Sequence, residues 1–328
     1  MEESNFDKRG FFFFLKFTAL IFVLLFAGKY GPRLADSNLI IVRNSESQKE
    51  KQIAGLVALK QFDETKSADS VSKKIYLGFV GDIMLDRGMK NSVEKYGNGD
   101  YIFAFEKIKD YLNSFDILFG NLEGPISDKG TLSGSIYSFR MDPRSAKSLK
   151  EAGFDILSVA NNHMGDWGKV AIKDTFQNLK DAGIVYSGGG KNKDEAYEPK
   201  IILVGDTRIA YLSFSEFGKG YLEATDSAAG IAIISDEKLK LGIEKAESEN
   251  DIVIASFHFG EEYKTEPNAY QKNIAHKAVD YGADLVVGHH PHVVEPIEKY
   301  KDKYIAYSLG NFVFDQHFSK ETMEGLVL

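Results

Sequence analysis

From position 75 onward, short apolar runs alternate with stretches of helical period, and no run is long enough to be a self-sufficient helix. The runs at 75–80, 117–119, 156–159, 201–204, 209–214, 252–256, 285–287 and 304–308 read as strands, because they are rich in β-branched and aromatic residues. Between them, Phe105, Ile108 and Leu112, then Ile172, Phe176 and Leu179, then Tyr270, Ile274 and Ala278 recur at helical spacing. Strand, loop and helix repeated in this way predict an α/β domain with helices packed on a largely buried sheet. There is no internal repeat and no low-complexity tract.

The 328 residues are 43% apolar and 27% charged, enough to build a large core. The formal charge of −8 is spread along the chain with no Lys/Arg block, which argues against nucleic acid as a partner. Cysteine is absent, so a disulfide framework, a thiolate zinc site and a cysteine nucleophile are all excluded. Any metal must be held by oxygen and imidazole.

Residues 10–28 read GFFFFLKFTALIFVLLFAG, apolar except for Lys16 and Thr18, with no polar stripe to face water. Lys8 and Arg9 precede the run, which predicts a cytoplasmic tail at 1–9, a single transmembrane helix at 10–28 and an exported remainder. The small residues of a cleavage site are poorly placed around Phe26, Ala27 and Gly28, so an uncleaved anchor in the cell membrane is expected. Residues 29–73 are polar and suit a linker, with a short helix at 53–62, and the domain runs over 75–328. The final apolar residues, 325–328, resemble the start of another strand, so the domain is expected to be truncated there.

Polar clusters follow the strands, where open α/β sheets build their sites. Asp82 and Asp86 follow one strand, Glu123 another, Asn162 and His163 a third, His258, Glu261 and Glu262 a later one, and His289, His290 and His292 the next. Singly, each has a structural explanation: Asp82 as a turn cap, Glu123 as a loop carboxylate, His258 as a satisfied buried histidine. His290 and His292, alternating in extended backbone, would point two imidazoles the same way. Together, the carboxylates, the amide and the imidazoles form a mixed N/O set suited to one or two ions of manganese, iron or zinc. Beside such ions His163 reads as a general acid. Arg87 and Arg140 are candidates for gripping a carboxylate or phosphate, although a surface salt bridge explains each equally well. Asn311, with Asp315 and Gln316, follows a strand and either lines the same mouth or fixes the turn. Glu262 and Tyr263 read as shaping the substrate side. Trp167, the sole tryptophan, reads as packed at a helix start rather than as a stacking platform.

The ordered series GDIMLDR, NLEGPI, ANNH, HFGEEY, GHHPHVVEPIE and SLGNFVFDQ resembles the motifs of the CapA family, also called PgsA, of poly-γ-glutamate capsule biosynthesis. That resemblance implies the calcineurin-like metallophosphoesterase fold, a four-layer sandwich of two β-sheets flanked by helices. It implies Asp82, Glu123, Asn162, His258, His290 and His292 as metal ligands, with Glu123 at the bridging position and Asn162 and His163 as the superfamily's catalytic Asn-His pair. Where the superfamily's first motif has an imidazole, this chain has Met84, so one of two ion positions is incomplete. Either a single ion serves, or Asp86, Glu261 or His289 compensates, or the site binds without turnover.

The resemblance also implies an acidic polymer, poly-γ-glutamate or its intermediates, as the molecule handled, and membrane-embedded synthase or export subunits as partners. A metal-dependent phosphoesterase or hydrolase on another substrate and a non-catalytic polymer-binding subunit are the alternatives. Nothing in composition or spacing identifies glutamate.

Overall fold

The computed structural model describes residues 74–133 and 136–328, together with the two-residue strand β1 (Leu20–Ile21). Apart from β1, the tail, the apolar segment 10–28, the linker and the candidate helix at 53–62 lie outside the described residues. Among the described residues no helix is long and apolar enough to cross a membrane.

In chain order the strands continue as β2 (Leu77–Ile83), β3 (Ile117–Leu122), β4 (Ile156–Ser158), β5 (Val185–Ser187), β6 (Gly189–Gly190), β7 (Lys200–Val204) and β8 (Thr207–Ser215). They end with β9 (Gly230–Ile231), β10 (Ile252–His258), β11 (Leu285–His289), β12 (Ile297–Tyr300), β13 (Lys303–Ala306), β14 (Asn311–Val313) and β15 (Leu326–Val327). The helices are α1 (Arg87–Tyr96), α2 (Lys109–Leu112), α3 (Arg144–Glu151), α4 (Gly168–Asp181), α5 (Lys193–Tyr197), α6 (Asp236–Glu249) and α7 (Ala269–Asp280).

Two large sheets result. The five-stranded sheet has the order β14, β2, β3, β4, β5 and is parallel throughout. The six-stranded sheet has the order β12, β13, β11, β10, β8, β7, with a parallel centre and antiparallel pairs at both edges. Alternation along the strands explains how they stack. Leu77, Phe79, Ile117 and Phe119 of one sheet and Ile209, Tyr211, Ile254 and Val287 of the other share a single buried cluster. Across it Phe119 stacks on Tyr211 with ring centroids 5.8 Å apart.

The intervening residues face outward onto helices. Val80, Leu118 and Leu157 pack with Leu149 of α3 and Ile172, Phe176 and Leu179 of α4. Val253, Ala255 and Val286 pack with Leu239 and Ile243 of α6 and with Ile274 and Ala278 of α7. The architecture is thus the expected mixed α/β sandwich, with both faces of both sheets covered. The expected helix through Phe105, Ile108 and Leu112 is reduced to a 3-10 turn at Tyr101–Ala104 and the four-residue α2.

Two glycines set how closely strand ends approach. A Cβ on Gly81 would lie 1.9 Å from the Gly310 carbonyl oxygen, and one on Gly288 would lie 1.8 Å from that of Tyr307. Only glycine lets these backbones come together, and each stands next to a strand-end polar residue, Asp82 or His289.

Candidate metal centre

The carboxyl ends of β2, β3, β10 and β11 carry Asp82, Asn121, His258 and His289 as strand residues rather than in loops. Parallel pairing sets Asp82 beside Asn121 and His258 beside His289, so polar side chains from both sheets meet at one end of the sandwich. All four are buried, as are Glu123, His163, His290 and His292. Ligand atoms of Asp82, Glu123 and His292 lie within 4.8 Å of one another.

Asn121 holds this cluster together. Its Nδ2 donates to Asp82 Oδ1 at 2.8 Å and lies 3.4 Å from both Glu123 Oε2 and His258 Nδ1. Asn161 donates in turn to Asn121 Oδ1 and to the Leu122 carbonyl, tying the β4 loop to β3. His292 faces both carboxylates, its Nδ1 3.4 Å from Asp82 Oδ2 and its Nε2 3.5 Å from Glu123 Oε1. Asn162 and His258 meet directly, Oδ1 to Nε2 at 2.7 Å, and the rings of His258 and His290 are 4.8 Å apart. His163 Nε2 is 3.9 Å from Glu123 Oε1, while its Nδ1 sits 2.8 Å from Asp166 Oδ2. A carboxylate can only accept, so Nδ1 carries the hydrogen and Nε2 is the atom presented to the cluster.

His290 and His292 do not lie in extended backbone as expected. Both are left-handed, with φ of 100° and 59°, in the bend that follows β11. Such a conformation is costly for a non-glycine residue, and it recurs where side chains must be aimed at a site. The rings converge because the chain turns around Pro291, not because a strand alternates.

Electrostatics divides the members. Burial acts to raise the Asp82 carboxyl, but the imidazoles of His289 and His292 facing it hold it well below the usual range. Burial, with the Asp82 charge beside it, pushes Glu123 well up. Burial also drives His258 far down and His290 down to about 3, so both imidazoles are neutral and keep a lone pair. Burial lowers His292 as well, yet the Glu123 and Asp82 carboxylates outweigh it and bring it to about 9. The cluster therefore calls for positive charge, which a proton on His292 supplies. Glu123 Oε1, both ring nitrogens of His289 and His290 Nδ1 are buried without a hydrogen-bond partner among the described residues. Such orphans are costly, and a divalent cation held by Asp82, Glu123 and His292 would give Glu123 Oε1 its missing partner. The residues present fit a metal of the manganese, iron or zinc class.

The other expected site residues are placed differently. Arg87 forks onto Asp315, with Nε 3.2 Å from Oδ2 and Nη2 closer still to Oδ1. The Arg140 guanidinium lies over the Trp167 ring. Glu262 is exposed, and its charge reaches Glu123. Asn311 is buried behind His292, which it contacts through Oδ1 at 3.0 Å, rather than lining an open mouth. Sequence reasoning passes over Asn121, Asn161 and Asp166. The first two stand inside the motifs that carry Glu123 and Asn162, and Asp166 stands three residues beyond His163, which is their only signal.

Residues 76–316 match the family described as "Bacterial capsule synthesis protein PGA_cap". The chain is 36% identical over 265 residues to the "Capsule biosynthesis protein CapA" of Bacillus anthracis, covering 78% of this chain and 64% of that one. It is 36% identical over 257 residues to the "PGA biosynthesis protein CapA" of Bacillus subtilis (strain 168), covering 76% and 66%. It thus spans less than two thirds of the length of either relative. Among solved structures, a hypothetical protein from Thermus thermophilus is similar at a TM-score of 0.47 and 18% identity, covering 74% of this chain and 79% of that one. With the family match spanning most of the domain, the chain belongs to the bacterial capsule synthesis protein PGA_cap family.

Proposed function

We propose that this chain is a membrane-tethered, extracytoplasmic protein of poly-γ-glutamate capsule synthesis or export that handles the acidic polymer or its intermediates at a divalent metal site. The observation that carries the reading is the burial of Asp82, Glu123 and His292 within 4.8 Å of one another, beside neutral His258 and His290. The names of the Bacillus relatives supply the capsule context. The apolar run at 10–28 supports the tether and the outward orientation.

Asp82, Glu123, Asn162, His258, His290 and His292 would hold the ion or ions, with Asn121 fixing the carboxylates between them. When bound, a divalent ion supplies Lewis acidity toward a phosphoryl or carbonyl oxygen. The chain's own groups do the rest. His163 presents Nε2 toward the cluster and holds a proton there for a leaving group, with Asp166 fixing the ring orientation. Phe139, with its ring centroid 4.0 Å from that of His163, keeps water off one face of the imidazole.

A second reading, a subunit that holds polymer without turnover, is favoured by one specific observation. Met84 stands where an imidazole would complete an ion position, and its sulfur is engaged by the Asp86 N–H at 3.2 Å. Metal analysis of the purified protein, followed by assays on γ-glutamyl polymer, phosphomonoesters and phosphodiesters, separates the readings. Bound metal with turnover supports hydrolysis. Polymer binding that survives Glu123→Ala, with no turnover in the wild type, supports the holding role, and protein that binds neither metal nor polymer overturns both. Deleting residues 10–28 is expected to release the domain to the soluble fraction.

A further inference from the structure

We propose that Arg140, laid flat on Trp167, grips the anionic group of the substrate, a carboxylate or a phosphate, at the mouth of the metal centre. This rests on the reading that the site takes an acidic ligand, and it names the residue that does so.

Four arginines lie among the described residues. Arg87 is forked onto Asp315, whose Oδ2 also takes the Gly88 N–H. Arg144 is bound to Asp142 and Glu94, and Arg208 to the Glu249 carbonyl. The Arg140 guanidinium alone among them has no acceptor among the described residues, and its Cζ lies 3.5 Å from the centroid of the Trp167 ring. A guanidinium carries all its N–H donors in its own plane, so stacking occupies a face and leaves the paired donor edges free. That is the geometry a carboxylate or phosphate engages with two parallel hydrogen bonds. The indole holds the cation in place before the ligand arrives, which reduces the ordering cost on binding.

Its position follows from its neighbours. The preceding residue, Phe139, stacks on His163, and its N–H donates to the same Asp166 oxygen that holds His163 Nδ1. The Arg140 N–H donates to Asp86 Oδ2 at 2.8 Å, in the turn after Asp82. Trp167 directly follows Asp166. Arg140 and Trp167 are thus the chain neighbours of the Phe139–His163–Asp166 contact, in a segment whose backbone is strapped between the β2 and β4 loops. Trp167 is both the residue before α4, as expected from the sequence, and a stacking platform for Arg140, the role the sequence reading set aside. The charge balance gives Arg140 its purpose. His292 and a bound ion answer Asp82 and Glu123, but the Glu262 charge also reaches the centre and the chain carries −8, so a fixed, unpaired cation nearby favours the approach of an anion.

The test uses the full chain as purified, with calorimetric titration of a γ-linked glutamate oligomer and, separately, of inorganic phosphate. Wild type is compared with Arg140→Ala, Arg140→Lys, Trp167→Leu and Trp167→Phe, with metal content and melting temperature measured in parallel. Arg140→Ala is expected to weaken binding by about 10- to 100-fold, the range of a lost charged hydrogen-bond pair. Arg140→Lys should recover only part of it, Trp167→Leu should weaken binding nearly as much as Arg140→Ala, and Trp167→Phe should keep most of it. Metal content and melting temperature should stay at wild-type values. Wild-type affinity in Arg140→Ala or Trp167→Leu overturns the proposal, as does loss of metal in step with loss of anion. If the wild type binds phosphate and not the oligomer, the polymer reading fails while the Arg140 grip stands on the phosphate data. If it binds neither, both fall.

Discussion

Asn311 Oδ1 sits 3.0 Å from His292 Nδ1, and the amide nitrogen of Asn311 is committed elsewhere, to Gln316 Oε1 at 3.1 Å and the Thr322 carbonyl at 3.0 Å. Since a backbone carbonyl can only accept, the amide orientation is fixed and His292 Nδ1 must be the donor. Nε2, aimed at Glu123 Oε1, then carries the second proton of the charged ring and becomes the ligand atom once that proton leaves. Asn311 thus holds His292 in one orientation. Asn311→Leu is expected to lower metal affinity by about 10- to 100-fold, as loss of a ligand-orienting partner does. Equilibrium dialysis against zinc or manganese reads this directly, and unchanged affinity would show that His292 needs no such support.

Asp166 plays the corresponding part for His163, with its Oδ2 shared between His163 Nδ1 and the Phe139 N–H, both at 2.8 Å. Asp166→Asn removes the charge and the fixed tautomer but keeps the shape. On the hydrolytic reading proposed above, turnover should fall by about 10²- to 10⁴-fold, in the range of a lost general acid. Metal content should stay intact, because Asp166 reaches no proposed ligand other than through His163. A fall in metal content with the same substitution would place Asp166 in the metal site instead.

A divalent ion bound at the proposed site should stabilise the fold. An ion that binds only the folded chain contributes about 2.7 kcal/mol at a hundred times its dissociation constant. Chelator-treated protein should therefore melt lower and recover on titration with manganese or zinc, whereas Glu123→Ala should gain nothing. The affinity should also depend on pH. Because the carboxylates bring His292 to about 9, its proton must leave when an ion binds, so apparent affinity should rise with pH up to that value. A flat profile between pH 6 and 8, on the order of one proton per ion being the expectation, would contradict it.

Every run that reads as a strand in the sequence is a strand in the fold, because apolar runs rich in Val, Ile and Phe leave little ambiguity, most of them being buried on both faces. Their ends are less legible. The expected strands at 75–80 and 252–256 extend to Ile83 and His258, since Asp82 and His258 pair in the sheet although their polarity reads as loop. Pattern does not mark β5, β6, β9, β12 and β14. β5 and β12 are partly exposed edges, and the two or three residues of β6, β9 and β14 are too few to show a period. The candidate metal-site residues are legible because each is chemically distinctive, but the side chains that orient them are not. Asn121, Asp166 and Asn311 act through amide and carboxylate contacts that only the packing of strand ends creates, and nothing in local pattern reveals that role.

Glu295 gives the protein a pH dependence separate from the metal. Its side chain is buried, Oε2 accepts from Gln271 Nε2 at 2.7 Å, and Oε1 has no partner among the described residues. Burial, opposed by the Gln271 hydrogen bond and assisted by the Glu266 charge, raises its carboxyl from an ordinary 4.5 to about 7. Between those values the folded chain keeps a proton that the unfolded chain has released. The contribution is thus full below pH 4.5 and is lost as pH rises through 7. Allowing for screening, the loss should be about 1–2 kcal/mol. Glu295→Gln keeps the shape and an acceptor for Gln271 but cannot ionise. Denaturant unfolding at pH 5 and pH 8 should therefore show the variant close to wild type at the lower pH and more stable at the higher. Parallel stability curves for the two proteins would mean that Glu295 is ionised throughout and that its buried oxygen has found a partner. In that case Gln271, which links Glu295 to the start of α7 through its capping contact with Asn268, would be the first residue to substitute next.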